Sequence, residues 1–157
     1  MPAATERVQS ALTALGIFAE IVEYPQGTRT AADAAAAIGT TVGQIVKSLV
    51  FLADGRPVLV LASGRNHVDT TKLARTAGAT RIERADADRV RAETGFAIGG
   101  VPPVGHAKPL EVFVDEDLLR YEVVYAAAGT PTAIFPITPP DLVRATGGRA
   151  VDLAWPQ

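Results

Sequence analysis

Ile45-Val46-Lys47-Ser48-Leu49-Val50-Phe51-Leu52-Ala53-Asp54-Gly55-Arg56-Pro57-Val58-Leu59-Val60-Leu61 decides the fold of this chain. Two apolar runs, Ser48–Leu52 and Val58–Leu61, flank Asp54-Gly55, a dipeptide suited to the left-handed residues of a tight hairpin. Neither run alternates apolar with polar, which predicts strands buried on both faces at the centre of a sheet. Lys47 interrupts the pattern and is the only lysine in the first seventy residues. An uncompensated ammonium in apolar surroundings is costly. Its side chain therefore either reaches water at a strand edge or meets a partner in a pocket.

Outward from the hairpin, the elements follow from periodicity and punctuation. Val8, Ala11, Leu12 and Leu15 recur at helical spacing over Thr5–Leu15, with Gly16 as terminator. Ala19–Tyr24 alternates and predicts a strand ended by Pro25 and Gly27. Thr30 and Asp33 frame a helix start, and the alanine run behind them predicts a helix to Ile38, closed by Gly39. Thr41 caps a short helical turn running through Val46. Beyond the hairpin, helices are predicted over Asp69–Ala77, stopped by Gly78, and over Asp86–Thr94, anchored by Val90. Strands follow at Leu110–Val114, Glu122–Ala127 and Thr132–Ile137. A final helix starts at Pro139-Pro140 and ends at Gly147-Gly148. With no repeat, linker or low-complexity tract, residues 1–157 read as one mixed α/β domain.

Composition narrows the chemistry. The absence of cysteine excludes disulfides, thiolate nucleophiles and cysteine zinc sites. His67 and His106 belong to no metal-ligand pattern, no Gly-x-Ser-x-Gly elbow occurs, and so neither a metal nor a cofactor is expected. No apolar run is long enough to span a bilayer, and Met1–Arg7 lacks a charged-then-apolar leader pattern, so the expected location is the cytoplasm. The net charge of −2 argues against a general nucleic-acid coat, but it is unevenly spread. Residues 56–108 carry nine Lys/Arg and five Asp/Glu, and the remainder six against twelve. A positive middle on an acidic body suits an anionic end group better than a long duplex, although salt-bridged helices give the same pattern.

A second stretch carries chemistry: Thr94-Gly95-Phe96-Ala97-Ile98-Gly99-Gly100-Val101-Pro102-Pro103-Val104-Gly105-His106. Glycines allow close backbone approach to a ligand and prolines stiffen the loop that presents it, a combination suited to a carbonyl or oxyanion site. His106 reads first as a histidine that fixes the loop through backbone carbonyls. The alternative is a base, or a contact to a substrate amino group. Asp69 reads as a helix cap, and Ser63, Arg65 and Asn66 as a solvent loop after a central strand.

The chain resembles the YbaK/EbsC-type aminoacyl-tRNA editing domains, relatives of the insertion domain of bacterial prolyl-tRNA synthetases. The likeness runs through Val22-Glu23-Tyr24-Pro25, Ile45-Val46-Lys47-Ser48-Leu49-Val50, Val68-Asp69-Thr70-Thr71-Lys72-Leu73-Ala74 and Thr94–Gly105. It implies an α/β domain of mixed α+β type, with a largely antiparallel, barrel-like sheet surrounded by helices. It also implies a trans-editing deacylase that hydrolyses the ester joining a mischarged amino acid to the terminal adenosine of a tRNA. By the same resemblance Lys47, Gly99 and Gly100 are the catalytic set, Lys47 holding the ester or terminal nucleotide and the glycine amides the substrate carbonyl. Tyr24, Ser48, Val101, Pro102 and His106 complete the expected substrate-binding set. An activated ester can be hydrolysed by a positioned water without a covalent nucleophile, and selection among amino acids then follows pocket size. Ile134-Phe135-Pro136 and Pro102–His106 depart from the cysteinyl-tRNA branch. Cysteine and an alanine-sized amino acid, on tRNA(Pro) or a similar tRNA, both remain open. The acceptor end of an aminoacyl-tRNA is the implied partner, with a synthetase as a second. The competing readings are a non-catalytic aminoacyl-tRNA or synthetase-binding module and a hydrolase of small activated esters.

Overall fold

Helix α1 (Ala3–Ala14) and the short strand β1 (Val22–Glu23) precede α2 (Ala31–Ile38), a 3-10 turn (Val42–Gln44) and the hairpin of β2 (Val46–Ala53) and β3 (Arg56–Ser63). The chain continues through α3 (Thr70–Ala77), β4 (Ile82–Arg84), α4 (Ala87–Thr94), β5 (Glu111–Asp115) and a second 3-10 turn (Glu116–Arg120). It closes with β6 (Val124–Ala127), β7 (Ala133–Ile137), α5 (Pro139–Thr146) and β8 (Arg149–Val151). The structure is a computed structural model that describes residues 1–25, 27–28 and 30–156.

The hairpin is where the sequence places it. Asp54 and Gly55 both take positive φ, 51° and 84°, between the paired residues Ala53 and Arg56. The Asp54 carboxylate then accepts the N–H groups of Thr80 and Arg81, which docks the turn against the start of β4. These backbone donors hold the Asp54 carboxyl below its usual pKa. Continuous apolarity in β3 translates directly into burial on both faces. Leu59 and Leu61 enter one core cluster with Val101, Ala133 and Phe135; Val58, Val60 and Ala62 enter another with Leu73 and Leu153.

The sheet departs from the expected barrel. Strands form a five-stranded sheet in the order β4-β2-β3-β5-β8 and a three-stranded sheet in the order β1-β7-β6, touching through an isolated bridge from Ile45 to Tyr125. Within the larger sheet β5 runs parallel to both β3 and β8, so antiparallel pairing does not extend across it. The mixed α+β class stands; closure does not. The strand expected over Ala19–Tyr24 contracts to Val22–Glu23, which ladders only with Ile134 and Ala133 of β7. Pro136, awkward inside a strand, lies beyond that two-residue pairing and opposes Tyr125 alone, so its missing N–H costs no ladder bond to β1.

Helix termini follow local chemistry. Thr30, Asp69, Asp86 and Thr138 each accept a backbone N–H at a helix start, and Gly39, Gly78, Gly95 and Gly147 each end a helix in the left-handed region.

Candidate functional site

Strand β4 pairs with β2 only at Phe51–Ala53, and the Ala85 N–H bonds the Val50 carbonyl just beyond. Along Val46–Leu49 this edge of β2 has no ladder partner among the described residues, and a cavity of about 450 Å³ opens there. Thr30, which caps α2, and Ala31 and Ala34 of that helix wall it on one side, and Tyr125, Ala127, Ala133 and Ile134 of the smaller sheet on another. Arg84, Ala85 and Val90 close the β4–α4 side, and Ile98, Gly99 and Val101 of the glycine loop complete it. Its size suits an amino acid with part of a nucleoside. Among the described residues, the lining includes no carboxylate, histidine or cysteine.

Of the residues singled out from sequence, Lys47, Ser48, Gly99 and Val101 line this cavity together. Lys47 is half-buried, and its ammonium donates to the Asn66 main-chain carbonyl. Behind that carbonyl stands a buried polar network. The Asn66 side-chain amide donates to Asp115 and Asp117, both at 2.8 Å, and Asp115 also accepts the N–H groups of Ser63 and Asp117, both at 3.0 Å. Cross-strand register explains the grouping. Lys47 opposes Ala62, and the Leu61–Val114 pair sets Asp115 beside Ala62 on the same sheet face. Burial pushes the Lys47 ammonium below its usual pKa; Asp115 acts in the opposite sense and Arg84 lowers it further.

The loop meant to carry the substrate carbonyl is built by close backbone contacts. Arg7 lies over the Phe96 ring at 4.3 Å and donates to the Gly95 carbonyl at 2.7 Å, pinning the end of α4 to α1. Gly99 sits at φ +91°. Gly100 is a glycine for a different reason: a Cβ there would lie 2.8 Å from the backbone of Thr130. Its N–H donates to Ala97 O at 3.0 Å within the turn, which removes one of the two expected carbonyl donors.

Tyr24, Gly100, Pro102 and His106 are not among the residues that line the cavity. Tyr24 packs against the cluster of Ala34, Ala35, Ile45 and Ile134. The Pro102 carbonyl accepts from His106 Nε2 at 2.7 Å, so this nitrogen carries a proton; burial pushes the ring below its usual pKa, with the Pro102 bond opposing. Asn66 and Ser63 correct the solvent-loop expectation, being 2% and 0% exposed. Asp115 and Arg84 carried no signal in sequence. Asp115 opens the acidic run Asp115-Glu116-Asp117, which reads as solvated, and Arg84 sits among alternating charges.

The family model of the aminoacyl-tRNA editing domain matches residues 25–145. A solved structure described as a candidate trans-editing enzyme for prolyl tRNA synthetase superposes with a TM-score of 0.94 at 48% identity, covering 99% of each chain. A candidate Cys-tRNA(Pro)/Cys-tRNA(Cys) deacylase, EbsC of Enterococcus faecalis, is 26% identical over 79% of this chain and 76% of its own. The proline--tRNA ligase of Nitratidesulfovibrio vulgaris (strain DP4) is 36% identical over 64% of this chain, a stretch that makes up only 18% of the ligase.

Proposed function

This chain belongs to the aminoacyl-tRNA editing domain family, and from that premise we propose that it is a trans-editing deacylase of mischarged aminoacyl-tRNA. Water adds to the ester carbonyl carbon, the bond to the ribose oxygen breaks, and the free amino acid and the terminal adenosine hydroxyl leave. The observation that carries this reading is the shared cavity, which Lys47 from β2 and Gly99 from the loop line together.

One ammonium proton of Lys47 is held by Asn66, which leaves two for the ester or the terminal nucleotide. A desolvated cation aimed where negative charge develops stabilises an oxyanion more strongly than one in water. The Gly99 main chain lines the opposite wall as the second polar contact; Gly100, its own N–H engaged, keeps the loop in place. With no carboxylate or imidazole in the described lining, the proton economy of the step falls to water and the substrate's own vicinal ribose hydroxyl. Alanine and isoleucine side chains around Thr30 and Tyr125 favour a small amino acid. A cytoplasmic setting and a synthetase partner belong to the same reading.

Alanyl-, cysteinyl- and seryl-tRNA(Pro) form the test panel. Release of amino acid from at least one, well above the rate in buffer, is expected. No release from any member removes the deacylase reading, and tight binding without release replaces it with a binding module.

A further inference from the structure

Lys47 and Arg84 are the charged residues in the described lining of the cavity, and both are positive. Arg84 disfavours the Lys47 ammonium through space. Nearby cations are neutralised within the protein, Arg81 by Glu83 and Arg89 by Glu93. Among the described residues, Arg84 has neither an ion pair nor a side-chain hydrogen bond. Its guanidinium lies over the face of Phe51, 5.4 Å from the ring centroid, and Phe51 is its register partner across β2–β4. Beyond it the Ala85–Val50 bond marks the last paired position before the open edge of β2. Two like charges kept at one cavity with no acid between them form an arrangement that an anion completes.

We propose that Arg84 binds the phosphodiester on the 5′ side of the terminal adenosine, while Lys47 serves the ester end of the same nucleotide. The assignment rests on the deacylase reading. That nucleotide carries one anionic group, a ribose away from the ester, and the planar guanidinium fork matches phosphate geometry. The division also follows exposure: Lys47 is half-buried at the strand edge, and Arg84 is exposed at the cavity mouth, where the polynucleotide must leave. The substrate's α-amino group, being cationic, is excluded from the same place.

Arg84→Gln tests this with two substrates carrying whichever amino acid of the panel the wild type releases. One is an aminoacyl acceptor-stem RNA; the other is the 3′-O-aminoacyl-adenosine, which has no phosphate. The expected result is a rise in KM for the RNA of about tenfold, in line with loss of one exposed charge-assisted contact. Turnover and the nucleoside KM stay unchanged, and the salt dependence becomes shallower by about 0.7 in log–log slope. Equal losses on both substrates, or none on the RNA, overturn the assignment. Binding of 5′-AMP against adenosine, followed by amide chemical shifts, needs no turnover. Wild type should prefer 5′-AMP and Arg84→Gln should lose that preference; a wild type that binds both equally overturns the phosphate site. If wild type cleaves neither ester yet shows an Arg84-dependent preference for 5′-AMP, the deacylase reading falls and the phosphate site remains.

Discussion

The two walls that meet at the cavity are held in place by different physics. On the β2 wall, Lys47 is positioned by hydrogen bonds and charge through Asn66 to Asp115, a carboxylate 1% exposed that accepts three donors. On the loop wall, steric closeness is added to the Arg7–Gly95 and His106–Pro102 hydrogen bonds: Gly100 lies against Thr130, and Gly129 would meet the Ala4 backbone at 2.8 Å if it carried a Cβ. The first wall should therefore break when a charge or an acceptor is removed, and the second when a single methyl is added.

The largest effect is expected at Lys47. Lys47→Ala removes the cation without touching the core clusters, so deacylation should fall by about 100-fold or more, the usual scale for losing one preorganised oxyanion donor. Circular dichroism and the melting temperature should be nearly unchanged, because the residue is half-buried and its removal relieves a desolvation cost. Unaltered single-turnover rates would take Lys47 out of the site.

Asp115→Asn sharpens the same wall. The carboxylate accepts from Ser63, Asn66 and Asp117, and an amide in its place turns one acceptor into a donor facing donors. A loss of about 2 kcal/mol in urea unfolding is expected for such a buried mismatch. Activity should fall less than in Lys47→Ala, since the Asn66 carbonyl that meets the ammonium is main chain.

Gly100→Ala and Gly99→Ala divide the loop wall. The added Cβ at Gly100 sits 2.8 Å from backbone that cannot rotate away, and overpacking of this kind costs about 1–3 kcal/mol. At Gly99 the nearest atom is a Pro131 side-chain carbon at 3.8 Å, and the penalty is the left-handed φ of +91°, about 1 kcal/mol. Urea unfolding of both variants should rank Gly100→Ala as the more damaging. The reverse order would mean that conformation, not proximity, sets this loop.

The contrast between walls also explains what was legible in the sequence. Asp54-Gly55, the capping residues and the terminal glycines act within a few residues of themselves, so their chemistry could be read locally. Lys47 stood out because it broke an apolar run, and the glycine loop because its composition is unusual. Asn66 and Asp115 are 49 residues apart, and each is ordinary where it stands. Only the parallel β3–β5 pairing brings them together, and parallel partners leave no short-range signal. Strands β4 and β8 were missed for a related reason. Ile82-Glu83-Arg84 and Arg149-Ala150-Val151 are too short and too polar to show a period, and exist because the sheet offers them an edge.

The smallest effect separates the two walls by pH. His106 donates from Nε2 to the Pro102 carbonyl, and burial holds its pKa below the ordinary value of 6.5. A histidine with a depressed folded pKa binds protons more readily in the unfolded chain. Stability therefore rises with pH between the folded and unfolded values, and is lost as pH falls below about 6.5. His106→Gln keeps an N–H donor for Pro102 but cannot titrate. Wild type and variant should have the same unfolding free energy near pH 7.5, and wild type should become the less stable of the two toward pH 5. Wild type and His106→Gln share every other titratable group, so a pH-dependent gap between them isolates the loop wall. Parallel stability curves would mean that the ring takes up its proton in the folded loop without cost, and that the Pro102 contact, rather than burial, governs it.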